Sequence, residues 1–353
     1  MNEDSFSYSS ERFGDIQMLR YRLDGFEDLT LKQKLYIYCL AQATLWGRDI
    51  TFHQFGKYNL QIRKALECIV AEKYKEDSDD FKALELYLKK VWFASGIHHH
   101  YAMDKFVPAF SRSYFAEALG SVDKEKLGLD AEESLTDYIN TLSEVIFNPA
   151  CMPKRVNKAE ETDVIKTSAN NYYEGVSQEE VERFYAEKKE TAIDKRLSFG
   201  LNSTLVKRGG TLEEIVWKLN GRYGKTIEQI IHWLNKAIAY CENNDQKEII
   251  RLLIAYYTSG NLADFDFHKP AADCSPERMI IFKRNIACSA ANQNILIREV
   301  LEIFPKPVNS FYHTCSSNIS SIAILTLGSA ISSSLMLNAV VNGSTANPSP
   351  KGM

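Results

Sequence analysis

The sequence predicts a mainly α-helical protein, with an α+β arrangement as the alternative. Three observations lead there. Apolar residues recur at three- and four-residue spacing through most of the first 260 positions. Ser and Thr stand where those runs begin, and a glycine stands where the last one ends. Strand-type alternation is scarce.

Thr30 to Gln33 has the spacing of a capping box, and Leu31, Leu35 and Tyr38 would then share one helical face. Between Tyr58 and Tyr74, Ile62, Leu66 and Ile69 make a second stripe. Ser78 caps a third helix, whose stripe is Phe81, Leu84, Leu88, Val91 and Trp92. Leu135, Ile139, Leu142 and Ile146 mark another. Ser177 to Glu180 and Thr211 to Glu214 have the same capping-box spacing as Thr30. Lys225 to Cys241 turns Ile227, Ile230, Ile231, Leu234 and Ile238 inward, and Asp245 to Thr258 repeats the pattern up to Gly260. Leu197 to Lys207, followed by Gly209 and Gly210, reads as a strand or an extended loop.

Composition narrows the function classes. The chain has 353 residues, a formal net charge of −4 and 45% hydrophobic residues, which is ordinary for a globular protein. No positive field is present to attract nucleic acid. Its seven cysteines include no Cys-X-X-Cys pair, which excludes zinc ribbons and thioredoxin-type motifs and suits reduced, buried thiols. The polar, acidic start MNEDSFSYSSERFGD has no secretory character, so the expected location is cytoplasmic.

The pattern changes near residue 265, which divides the chain into regions 1–264 and 265–353. Val308 to Pro350 contains no Asp, Glu, Lys or Arg. Ile319 to Val341 reaches the ~20 residues of a membrane span, but six serines leave it mediocre in hydropathy. A membrane anchor is therefore not the favoured reading. A buried Ser-rich segment and a disordered tail are further readings. The expectation is that the coding frame changes near Asp266, so that the residues beyond it are not the natural continuation.

The most unusual local sequence is Ser95 to Pro108 (SGIHHHYAMDKFVP). Three histidines, a tyrosine and an aspartate are metal-ligand types, but consecutive side chains of an extended segment point to opposite faces, and no second His or Cys pair is at hand. No metal site is predicted. A loop whose imidazole and aromatic groups line a cleft is one expectation, and a surface loop docked on the helices is the other. Asn170 to Gly175 is a second polar-aromatic loop, read as a turn ahead of the helix capped by Ser177 rather than as a substrate contact. Glu228 and His232 read as a packing or surface pair. No nucleotide-binding glycine motif, nucleophile elbow, EF-hand loop or His-Glu-X-X-His is present.

Four stretches carry a family resemblance: Val91 to Gly96 running into IHHHYAMDKFVPAFS, Ser168 to Val176, Gly200 to Val206, and the opening Gly14 to Tyr21. Over roughly residues 13 to 264 the chain resembles the bacterial branch of dipeptidyl peptidase III. That resemblance implies a zinc peptidase of two lobes that releases dipeptides from short peptides. Its zinc would be held by a His-Glu-X-X-Gly-His helix and a further glutamate. This sequence contains no His-Glu-X-X-Gly-His, so the chain is expected to be a truncated N-terminal portion, without catalytic residues or a cofactor of its own and inactive alone. Aligned on Lys105 to Pro108, Tyr101 falls where the family places an aromatic that contacts the peptide. The resemblance thus implies Tyr101 as a substrate contact, with His99, His100 and Asp104 shaping the loop. Short peptides are the expected partners, and self-association would result from apolar faces left by a missing lobe. A non-catalytic peptide-binding or scaffold module is the alternative function.

Overall fold

The computed structural model describes residues 6–21, 23, 25–130, 132–192, 199–265 and 337–342. The change of pattern at 265 and most of Ile319 to Val341 lie outside these residues. Over the described residues the protein is mainly α with two small sheets.

A 25-residue helix, α1 (Leu31–Phe55), is the axis of the molecule, and both halves of the Thr30–Gln33 capping box form. Its buried residues include Tyr36, Ile37, Leu40, Ala41 and Ala43, whereas Leu31 is 74% exposed and Leu35 and Tyr38 are half-buried. The expected face is thus displaced by one to two residues. The reason is that α1 serves two cores and carries small and apolar residues nearly all round, so spacing alone does not identify its inner side.

The larger core packs the C-terminal half of α1, through Phe52, with α2 (Asn59–Glu72), α3 (Asp79–Ala94), α4 (Arg112–Gly120), α5 (Lys124–Leu127) and α6 (Leu135–Phe147). Ile62, Leu66, Ile69, Leu84, Leu88, Phe115, Leu142 and Ile146 are sealed within it. Ser78, Ser111 and Ser134 cap α3, α4 and α6 through their side chains. The second core joins the N-terminal half of α1 to α8 (Gly224–Ile238) and α9 (Asn244–Ser259), which ends at Gly260 in the left-handed region (φ 72°). A turn of helix, α10 (Leu262–Phe265), comes next. Cys39 and Cys241 are buried here, and the four cysteines among the described residues are free thiols.

The sheets hold the main departures from the sequence reading. The strands β1 (Ser9–Phe13) and β2 (Ile16–Tyr21) form an antiparallel hairpin about Gly14 and Asp15, and β6 (Leu337–Asn342) pairs antiparallel with β2. The sequence SSERF has no alternation to announce β1. In the second sheet, β4 (Ser203–Arg208) lies between β3 (Tyr173–Glu174) and β5 (Thr211–Val216). Thr211 therefore opens a strand, and its capping-box spacing is incidental. Gly209 and Gly210 both have positive φ (56° and 85°), which is the two-residue turn that reverses a strand onto itself. Glu214 instead accepts from Ser203 Oγ at 2.7 Å and pairs with Lys188 of α7 (Gln178–Thr191). That helix does begin with a complete capping box at Ser177.

Candidate functional site

The histidine-rich run begins where α3 stops. Ser95 takes the left-handed conformation (φ 55°) and its N–H returns to Trp92 and Val91. Gly96 comes next at φ 155°, with its N–H on the Val91 carbonyl. A Cβ at Gly96 would lie 2.3 Å from Asn59 Nδ2, so glycine is required on steric grounds as well. Asn59 is 1% exposed; it donates to the Phe52 carbonyl at 3.1 Å and accepts from Ile97 N–H at 3.4 Å. It thereby joins α1 to the root of the loop.

From Ile97 to Phe106 the chain folds back on itself. Phe106 N–H meets the Ile97 carbonyl at 2.8 Å, and His99 N–H meets the Asp104 carbonyl at 2.7 Å. The reversal is closed by His99, whose Nδ1 accepts from the amides of Tyr101 (3.2 Å) and Ala102 (3.0 Å). An acceptor at Nδ1 places the ring proton on Nε2. Two further segments lie alongside. Lys105 N–H bonds the Pro153 carbonyl and Arg155 N–H the Met103 carbonyl, while Ala169 and Asn170 N–H bond the carbonyls of Lys154 and Arg155. Asn171 N–H then reaches the Gln54 carbonyl in α1 at 2.8 Å. The two polar-aromatic loops distinguished in the sequence thus belong to one hydrogen-bonded platform on the end of α1.

The side chains divide into sealed and presented groups. His98 is 2% exposed and its Nε2 donates to the Met152 carbonyl at 2.9 Å. Burial is the main reason its pKa is pushed down to about 4. His100 is 5% exposed, stacked on His99 (centroids 4.4 Å, 28°) and edge-on to Phe93 (4.7 Å). Its pKa is also lowered to about 4, by burial first and then by His99 and Arg155. Tyr101 rests against His100 at 4.2 Å and is 42% exposed. It is the presented group, and His99 and His100 support it. Asp104 sits at the surface in an ion pair with Lys154 at 3.3 Å, worth at most ~1 kcal/mol.

The residues do not fit a zinc ion. His98 and His99 each commit a ring nitrogen to the backbone, His100 is enclosed by rings, and no group of three or more potential ligands occurs among the described residues. Glu228 and His232 are both exposed on α8.

Arg155, His53 and Tyr223 have no local signal in the sequence, because their partners come from distant segments. Arg155 stacks its guanidinium on Phe55 at 4.2 Å and donates to the His100 carbonyl at 3.2 Å. His53 Nδ1 lies 2.7 Å from the Tyr223 hydroxyl, and Asn171 Nδ2 lies 3.1 Å from His53 Nε2. Tyr172 and Tyr223 each lie 5.5 Å from Trp217, whose indole N–H donates to Thr204 Oγ1.

No protein-family model matches the chain, and no curated protein does. Among solved structures, DPP III from Caldithrix abyssi superposes with a TM-score of 0.41 at 15% identity. The match covers 68% of this chain and 33% of that one, so the chain spans about a third of that protein's length.

Proposed function

We propose that residues 1–264 are the N-terminal, helical region of a dipeptidyl peptidase III-like protein, and that the 98–104 loop is a wall of its peptide-binding cleft. Tyr101 is the contacting side chain, with His99, His100 and Asp104 shaping the loop. The observation that carries this reading is the contrast within one loop: Tyr101 stands 42% exposed on a turn whose neighbouring backbone amides are bonded and whose neighbouring rings are packed. A large aromatic face held in place offers contact area at low entropic cost. The resemblance over Ser95 to Pro108 supports the assignment to short peptides.

The chain contains no His-Glu-X-X-Gly-His, and its histidine run is committed to structure, so no dipeptide release by this chain alone is expected. The test has two arms. Incubation with a dipeptidyl-arylamide and added zinc should give no turnover; turnover abolished by a chelator would overturn the reading. Titration with tri- to pentapeptides should show binding that weakens on Tyr101→Ala. Peptide binding by a chain whose full-length form also lacks hydrolysis would favour the non-catalytic module. A cytoplasmic location belongs to the same proposal, as does self-association through apolar faces. No helix among the described residues is long and apolar enough to cross a membrane.

A further inference from the structure

Most of the cations around the platform are engaged. Lys154 pairs with Asp104 at 3.3 Å and Lys90 with Asp15 at 3.2 Å. Arg222 has Thr204 Oγ1 at 2.8 Å and Glu174 at 3.9 Å. Lys105 is enclosed by the carbonyls of Val145, Asn148 and Cys151. Arg155 is different. Among the described residues its only side-chain hydrogen bond runs from Nη2 to the His100 carbonyl, and no carboxylate lies within 4 Å.

A guanidinium carries five N–H donors in a planar fork. Among the described residues Nε and Nη1 have no hydrogen-bond partner and neither is a sealed orphan, so both open to solvent, while Nη2 keeps a second N–H on the edge it shares with one of them. Phe55 fixes the plane of the group from one side at 4.2 Å. The site is therefore a half-buried, pre-oriented fork with a single uncompensated charge. Its Nη2 lies on the His100 carbonyl, and Tyr101 packs against the ring of that same residue.

We infer that Arg155 is an anchor for the carboxylate of a bound peptide, reading a free C-terminal acid whose neighbouring apolar side chain rests on Tyr101. This rests on the proposed peptide-binding wall and adds to it the feature recognised. One uncompensated charge matches a monoanion. A phosphate group would call for more charge than this site supplies, because Lys154, Lys90 and Arg222 are already engaged. The remaining Nη2 N–H and the N–H beside it on the same edge, from Nε or Nη1, are the geometric complement of a carboxylate, which is the basis of bidentate arginine recognition. The backbone around Arg155 is itself secured, with its N–H on the Met103 carbonyl and its carbonyl on Asn170 N–H, so the fork is held without ligand.

The experiment compares the tripeptide Gly-Gly-Phe as free acid and as C-terminal amide, with benzoate as the smallest probe. The full chain and the variants Arg155→Gln, Arg155→Lys and Tyr101→Ala are titrated. The expected result is that the free acid binds at least tenfold more tightly than the amide. Arg155→Gln removes that ratio, Arg155→Lys keeps part of it, and Tyr101→Ala weakens both peptides alike. An unchanged acid-to-amide ratio in Arg155→Gln overturns the anchor and leaves the Tyr101 reading standing. If neither peptide binds, benzoate is tracked through the Arg155 Nε–H resonance. A saturable shift then keeps the carboxylate site while the peptide reading falls, and no shift removes both. A loss of several degrees in Tm for both Arg155 variants, without any effect on ligands, would mean that a carboxylate of the chain itself occupies the fork. That too overturns the proposal.

Discussion

Lys105 Nζ lies 2.5 Å from the carbonyl oxygen of Asn148, the residue that closes α6. The same ammonium reaches the carbonyls of Cys151 at 2.7 Å and Val145 at 3.0 Å. One positive group thus satisfies the unpaired carbonyl end of a helix and fastens the root of the histidine loop to it. Replacing it by methionine keeps the stem and removes the charge. The Lys105→Met variant is expected to lose about 2–3 kcal/mol of stability in urea unfolding. Hydrogen exchange should show early opening in residues 97–106 and the last turn of α6, while α8 and α9 keep their protection.

The buried imidazoles set a pH dependence. The His98 pKa is about 4 in the folded protein, against the ordinary value near 6.5 in the unfolded chain. The unfolded chain therefore takes up a proton, as pH falls below about 6.5, that the folded protein refuses. Stability is full above that point, declines as pH drops from about 6.5 to about 4, and then levels off for this group. The shift sets an upper bound of ~3 kcal/mol for His98, and His100 adds to the same window. Urea midpoints between pH 7.5 and 4.5 should fall accordingly, and His98→Gln should show a shallower slope. Asp15, whose carboxyl is held below its usual range, acts lower on the scale, losing its contribution only as pH falls through its depressed value.

Asn59 is the joint between α1 and the loop. Asn59→Ala leaves the Phe52 carbonyl and the Ile97 N–H without their buried partner, at a cost of about 2–4 kcal/mol. Gly96→Ala is expected to be destabilising by a separate route, since the new methyl group meets Asn59 and the backbone angle is unfavourable for alanine. The double variant Asn59→Ala/Gly96→Ala should lose less than the sum of the two, because the steric conflict disappears with the amide. Denaturant curves of the four proteins measure this directly.

Tyr101→Ala should leave stability within ~0.5 kcal/mol, since the ring is exposed at the rim. Peptide affinity should fall by about tenfold, or ~1.4 kcal/mol. Tyr101→Phe should retain most of it, because the aromatic face and not the hydroxyl makes the proposed contact. A Tyr101→Ala variant that binds peptides as the parent does would place the contact elsewhere.

Legibility in the sequence depends on how local each feature is. Ser78, Ser177 and the Thr30–Gln33 pair announce helix starts because a cap involves only four consecutive residues. Thr211 shares that spacing and begins a strand, because the preceding glycine pair and the partner strand override it. The buried side of α1 is displaced by a residue or two from its apolar spacing because its surroundings differ along its length. At the site, the 98–104 run is conspicuous by composition. Arg155 and His53 are not, since their significance comes from Phe55, His100, Asn171 and Tyr223, which the fold brings in from elsewhere. Consecutive histidines of an extended segment would diverge. Instead His99 and His100 stack, because the loop reverses at that point.

Because α1 is a wall of the two larger apolar clusters, neither can melt while the other keeps its rod intact. Heat should therefore disassemble α1 to α6, α8 and α9 in one calorimetric step. A proline placed at Thr44, midway along α1, would uncouple the halves and split that peak in two.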